Sequence, residues 1–198
     1  MDKKETRERI KFLLFSDDMD IEERMQELIK CIPELEMMYH KDHNQPAHCF
    51  DIFTHTLSVV DKMPKDEIGR LCALLHDIGK PLSQTTVDGV THYWGHPEVS
   101  CAIAYKILIR LGYFYEEARI ISSICLYHDT MLDKSYEVFL GYLSYIGYRN
   151  FHYILELQKA DLTSHADWYI EKKIEGLNKS HENIKEYIKR AKKEKLIY

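Results

Sequence analysis

Residues Leu71 to Lys80 read LCALLHDIGK and place a histidine directly before an aspartate at the end of an apolar run. Six of the first eight positions are apolar and none before Asp77 is charged, so the segment predicts a helix buried nearly all round. An ionised carboxylate removed from water needs a cation or several donors, or it neutralises. A metal ion meets that need, and imidazole with carboxylate is a donor set that borderline divalent transition metals accept. Consecutive helical residues point roughly 100° apart, so His76 and Asp77 can serve different sides of one site. Gly79 is expected to stop the helix in the left-handed conformation.

Further histidines and aspartates recur at predicted helix ends. Asp51 and His55 are four residues apart and share one face of a helix predicted over His48 to Met63. In that geometry Asp51 would orient the His55 ring while the ring binds a metal. His96 precedes Pro97, which suits a helix start and puts the imidazole near the N-cap, turned back out of the helix. His128-Asp129 repeats the doublet at another helix end, where a histidine also answers the helix dipole without any metal. Asp161 falls on the apolar face of Ile154, and a core-facing aspartate is seldom solvated. Lys80 is placed either to meet a phosphate oxygen as a point charge or to stand exposed at a helix end. His40 and His43 lie in a polar, aperiodic stretch, His40 to Ala47, and read as solvated loop residues.

The elements that must hold these groups are helices. Residues 2–15 predict an amphipathic helix with Ile10, Leu13 and Leu14 inward, Asp20 caps a second through Ile29, and Pro33 starts a further turn to Tyr39. Phe50, Phe53, Leu57, Val60 and Met63 mark the core face of the helix from His48; Pro64 ends it, and Asp66 opens the helix that carries His76-Asp77. Asp88-Gly89 between β-branched residues predicts a small hairpin. Helices then follow over His96 to about Leu111, Tyr115 to Tyr127, Tyr136 to Gly147, about Asn150 past Asp161, and Trp168 to Lys195. The last ends in a basic run from Lys189 to Lys195, either a solvated helix end or a contact for an anionic partner.

Composition agrees with a helical protein. With 198 residues and 45% hydrophobic content the chain can bury a core as one domain, and 8 Gly and 5 Pro favour long helices over a many-turned β architecture. The expectation is an all-α, single-domain helical bundle: N-terminal helices over 1–44, a core over 45–165 and a C-terminal helix over 166–198. A net charge of −5 argues against broad nucleic-acid binding. No apolar run approaches ~18 residues, and the charged N-terminus lacks a small-residue cleavage site, so neither a membrane span nor a signal peptide is expected. The 5 Cys, odd in number and never in a CxxC pair, read as buried free thiols of a reducing compartment, hence a cytoplasmic protein. The 11 His are the composition's functional hint.

The candidates run in the order His, His-Asp, His, His, Asp. With His55 in FTHT, His76-Asp77 in LLHDIGK and Asp161 in LQKAD, this order resembles the HD-domain superfamily of metal-dependent phosphohydrolases over about residues 45–165. More closely, HCFDIFTHTLSVVD, RLCALLHDIGKP and HYWGHPEVS are similar to the HD domain of bacterial CCA-adding tRNA nucleotidyltransferases. The nucleotide-adding head of those enzymes has no counterpart in this sequence, so nucleotide addition is not inferred. The resemblance implies a bundle in which His55, His76, Asp77 and Asp161 hold one divalent transition metal (Mn, Fe, Co, Ni or Zn). His96 and His128 would hold a second, with Asp77 bridging. It implies a small phosphorylated substrate, a phosphomonoester or phosphodiester of a nucleotide, cleaved by metal-activated hydroxide. Lys80 would stabilise the developing charge, and Asp129 would support the ligands or give a proton to the leaving group. The rival is a non-catalytic module with one structural metal whose basic last helix contacts RNA, which the net charge does not favour, or a protein. No membrane partner is expected, and the oligomeric state is left open.

Overall fold

Apolar residues at helical spacing, several of the runs opened by a capping side chain, account for most of the architecture of the computed structural model, which describes residues 2–197. α1 (Lys3–Leu14) starts at Asp2, whose carboxylate accepts from the amides of Lys4 and Glu5 while Glu5 reaches back to the Asp2 amide. α2 (Ile21–Cys31) is capped by Asp20, and a tight 3-10 turn at Pro33–Met38 follows. α3 (Ile52–Lys62) and α4 (Glu67–Leu75) are capped by Asp51 and Asp66. A single turn, α5 (Lys80–Ser83), leads into β1 (Thr85–Val87) and β2 (Val90–His92), which pair antiparallel with Thr85 opposite His92. Asp88 and Gly89 between them both take positive φ, 51° and 77°, as a twisted two-residue hairpin turn requires. α6 (His96–Leu111), α7 (Tyr115–Tyr127), α8 (Tyr136–Ile146), α9 (Phe151–Leu162) and α10 (Asp167–Lys193) complete the chain. The fold is all-α, as the sequence implies.

α4 is the central element. Every residue from Gly69 to Lys80 is buried, and the helix packs against α1, α3, α7 and α9. Leu71, Cys72, Leu74 and Leu75 are fully enclosed, each such side chain contributing about 1.5–3 kcal/mol of apolar burial at most. The one cation within α4, Arg70, is also fully buried. Its guanidinium meets the Asp17 carboxylate at 2.5 Å and the Leu14 carbonyl, which ties α4 to the connection between α1 and α2. The hydrogen bond from Arg70 holds the Asp17 carboxyl below the usual carboxylate range, against the opposing effect of burial.

Several expectations need correction. α3 begins at Ile52 rather than His48, because Asp51 commits its carboxylate to the amides of Phe53 and Thr54 and to the Thr54 hydroxyl. It therefore cannot orient His55. Phe50 falls before the helix and is 48% exposed instead of lying on the core face. Among the cysteines, Cys31, Cys72 and Cys125 are buried thiols, whereas Cys49 is exposed and Cys101 half-buried. In the basic run of α10, Lys189 and Arg190 each pair with a glutamate about one turn away, so part of its charge is answered within the helix. No described helix is long and apolar enough to cross a membrane.

Removing the Asp17 charge strands a buried guanidinium. Asp17→Asn is expected to destabilise the protein by about 3 kcal/mol at neutral pH, measured by urea unfolding. Because the folded-state pKa of Asp17 is depressed, this contribution is present above the ordinary carboxylate pKa and is lost as pH falls through the depressed one. The gap between wild type and variant should close on acidification, and a gap independent of pH would refute the assignment.

Candidate metal centre

Helix ends leave carbonyls without partners, and His76 and His128 each use one to hold the ring, while His96 uses a carbonyl of the turn before its helix. His76, just past α4, donates Nδ1–H to the carbonyl of Ala73 at 2.7 Å. His128, just past α7, donates to Cys125 at 2.7 Å, and His96, the first residue of α6, to Tyr93 at 2.9 Å. In a neutral imidazole this fixes the tautomer and leaves Nε2 with its lone pair free. Burial pushes the pKa of both His55 and His128 down, which keeps those rings neutral.

All four Nε2 atoms converge on Asp77. One carboxylate oxygen, Oδ2, lies 3.1 Å from Nε2 of His76 and 4.0 Å from Nε2 of His55. The other, Oδ1, lies 3.3 Å from Nε2 of His96 and 3.7 Å from Nε2 of His128. Asp161, near the end of α9, brings Oδ1 to 2.8 Å from Nε2 of His55 and 3.9 Å from Nε2 of His76. The carboxylate of Asp77 thus divides two donor sets, His55, His76 and Asp161 on one side and His96 and His128 on the other.

The chemistry of these donors fits a divalent cation. Nε2 of His76 is buried without a hydrogen-bond partner, and the oxygens of Asp77 are buried with only the Lys80 ammonium, 2.6 Å from Oδ2, and imidazole nitrogens beside them. Nε2 of His96 and Nε2 of His128 face each other at 3.3 Å. With both Nδ1 atoms donating to carbonyls, that contact joins two lone pairs unless a proton or a metal lies with them. Metal–ligand bonds of about 2.0–2.2 Å imply neighbouring donor atoms roughly 3 to 3.5 Å apart, close to the separations seen. Burial disfavours a charged His76, yet the Asp77 and Asp161 carboxylates outweigh it and push its pKa up to about 9. The local field is one that holds positive charge.

Gly79 explains how α6 comes close enough to contribute. A Cβ there would lie 2.6 Å from the carbonyl oxygen of His96 and 2.6 Å from the amide nitrogen of Ser100, whose hydroxyl accepts from the Gly79 amide. Its φ of −82° is right-handed, so the expected left-handed stop is corrected: the glycine serves close packing, not chain reversal. His96 likewise sits inside the helix as its first residue, after Gly95 in the left-handed conformation at the N-cap.

Lys80 is buried, not solvated, with its ammonium 2.6 Å from Oδ2 of Asp77 and 5.7 Å from the centre of the Tyr93 ring. Asp129 is half-exposed, and its carboxylate lies 3.4 Å from Nε2 of His96 and 3.6 Å from Nε2 of His128. Gln158 of α9 donates to the carbonyls of His128 and Thr130, which fixes the backbone on either side of Asp129. These groups open onto a cavity of about 820 Å³ whose wall includes Lys80, His96, His128, Asp129 and Asp161.

Sequence reasoning missed a second histidine shell. His43 is buried, stacked on His48 at 3.5 Å between ring centres and edge-on to His55 at 5.2 Å. Burial pushes its pKa down to about 2. His165 packs beside both His48 and His55. The loop is drawn inward by long-range bonds, from the Tyr93 hydroxyl to the His43 carbonyl at 2.6 Å and from the Ile52 amide to the Lys41 carbonyl. No local periodicity could have shown it.

Residues 47–193 match the HD domain family, a span that contains all the candidate ligands. No match was found among curated proteins. HD domains typically bind divalent metals and are generally metal-dependent hydrolases; the nearer likeness to CCA-adding enzymes rests on the sequence blocks alone.

Gly79→Ala is expected to push α6 away, lowering stability by about 1–3 kcal/mol and weakening metal binding because His96 moves with the helix. Titrating the chelator-treated protein with Mn²⁺ while following the melting temperature checks this. Wild type should gain more than the variant, and equal gains would show that the close approach does not matter to the centre.

Proposed function

The chain belongs to the HD-domain family, and from that premise we infer that it is a phosphohydrolase acting on a phosphomonoester or phosphodiester of a nucleotide. One observation carries this reading: Asp77 lies buried just past α4 with its two oxygens turned to different imidazole pairs. His55, His76, Asp77 and Asp161 would hold one divalent cation, and Asp77, His96 and His128 a second. The contact of Asp129 with both imidazoles of the second set favours a ligand role there over the proton-donor role. When bound, such cations polarise phosphoryl oxygens and lower the pKa of a coordinated water to about 7.

The protein's own groups do the rest. The carbonyls of Ala73, Tyr93 and Cys125 hold the imidazoles in the tautomer that presents Nε2. Lys80 sets a fixed ammonium on the cavity wall, positioned to stabilise negative charge growing on the phosphoryl group. The apolar burial of α4 keeps bulk water from the far side of Asp77. The rival reading, a structural metal in a binding module, calls for a closed donor set. Here His96, His128, Asp129 and Asp161 all line the cavity.

Protein purified without chelator is expected to carry about two metal equivalents per chain by elemental analysis, consistent with a two-metal clamp. It should hydrolyse a generic phosphodiester or phosphomonoester with Mn²⁺, Co²⁺ or Ni²⁺, and Asp77→Ala should abolish this. His128→Ala should lose one equivalent and keep the other. One tightly held metal with no hydrolysis under any ion would leave the binding module as the better account.

A further inference from the structure

The candidate ligands occupy one end of the cavity, and the remaining wall carries features the chemistry at phosphorus does not use. We propose that this remainder is a subsite for the leaving group, in which a planar aromatic ring stacks on Trp94 and a further anionic group meets Lys173, with Gly176 keeping the space open. The proposal rests on the phosphohydrolase reading and extends it from phosphoesters to the terminal phosphoanhydride of a nucleoside diphosphate: water adds its oxygen to the β-phosphorus, the bridging P–O bond breaks, and the nucleoside monophosphate leaves with its ring on Trp94 and its own phosphate at Lys173.

Size is the first argument. About 820 Å³ falls in the range of pockets that enclose drug-sized ligands, far beyond what a phosphoryl group fills. Trp94 is the second. It is 65% exposed, yet it is held face to face against His92, with ring centres 4.3 Å apart and planes 13° from parallel. Residues two apart along an extended strand point to the same side, which is why His92, ending β2, can back the indole. One indole face is taken by His92 and the other is free, and both residues lie on the cavity wall. Two positions later comes His96 of the metal centre, so an aromatic ring on Trp94 and a phosphoryl group at His96 belong to one compact ligand.

The opposite wall is α10. Tyr169, Lys173 and Gly176 line the cavity at the spacing of one helical face. Tyr169 stacks on His165 with ring centres 5.0 Å apart, and the Lys173 ammonium lies 5.8 Å from the Tyr169 ring. Lys185, Lys189 and Arg190 further along α10 have glutamate partners, whereas Lys173, like Lys172 and Lys179, makes no ion pair among the described residues, and of these three it is the one that lines the cavity. Glycine inside a helix is destabilising relative to alanine, and a Cβ at Gly176 would meet nothing within 4 Å. Packing therefore does not demand glycine there, and a longer side chain would enter the cavity.

The test uses the full chain loaded with Mn²⁺ in a Trp168→Phe background, which leaves Trp94 as the only indole. Titration with adenosine 5′-methylenediphosphonate, which resists hydrolysis, is expected to quench Trp94 fluorescence saturably, while inorganic pyrophosphate should not. In turnover, Trp94→Ala should lower the kcat/KM ratio of ADP over glycerol 2-phosphate roughly tenfold, as loss of one base–aromatic stack does, with Trp94→Phe restoring most of it. Lys173→Met should lower the preference for ADP over AMP, and Gly176→Leu should raise KM for ADP without lowering the melting temperature. Absence of quenching, or unchanged ratios in Trp94→Ala, overturns the subsite. Failure to hydrolyse any phosphoester or phosphoanhydride defeats the phosphohydrolase reading instead, and quenching of Trp94 by the diphosphonate is scored separately from it.

Discussion

A buried carboxylate ringed by imidazoles and one ammonium is the constraint on which this structure turns. Asp77 lies buried just past α4, with the Lys80 ammonium 2.6 Å from Oδ2 and the His76 and His96 rings 3.1 and 3.3 Å from its two oxygens. Left alone it would neutralise. Burial opposes its charge, but the His76 and Lys80 cations beside it hold its carboxyl well below the usual range. Every element around it supplies either a positive charge or a lone pair that can share one: α3 through His55, α5 through Lys80, α6 through His96, the end of α7 through His128, and α9 through Asp161. The bundle is the frame that such convergence needs.

Helix ends do more in this frame than terminate helices. The Nδ1 contacts of His76 and His128 each run to a carbonyl three residues back, at the point where the helix has no amide left to offer it. One interaction thereby satisfies an orphan carbonyl, fixes a tautomer and aims Nε2. A histidine one turn earlier would lose the carbonyl to the helix, and one turn later it would leave the site. This accounts for the doublets His76-Asp77 and His128-Asp129 standing just past α4 and α7 and not within them.

The parts of the site legible in the sequence were those written in local pattern. The apolar run before His76, the caps at Asp20 and Asp66, the Asp88-Gly89 hairpin and the inward face of Asp161 are set by neighbours within a turn or two, and they lie where periodicity puts them. What was illegible depends on partners distant in sequence. Asp51 has the spacing of a carboxylate that could support His55, but the backbone amides next to it are nearer and claim it first. Gly79 has the look of a helix stop, and only the approach of Ser100 and His96 shows why a side chain is forbidden there. His43 sits in a polar loop by composition and in the interior by virtue of Tyr93, 50 positions away.

The same division separates stability from function along α4. Its first half carries an ion pair, Arg70 with Asp17, in which the charges answer each other and a carbonyl takes a further guanidinium hydrogen bond. Its end leads into groups that are incomplete by themselves, with Oδ1 of Asp77 facing only imidazole nitrogens and Nε2 of His96 and His128 set against each other at 3.3 Å. A fold can hold such a frustrated cluster only if the helix bearing it is anchored elsewhere, because local relaxation would otherwise swing Asp77 towards water. Full burial from Gly69 to Lys80 removes that escape. Taking up a cation would relieve the cluster instead, and the helix that is most thoroughly interior would become the one that presents the chemistry.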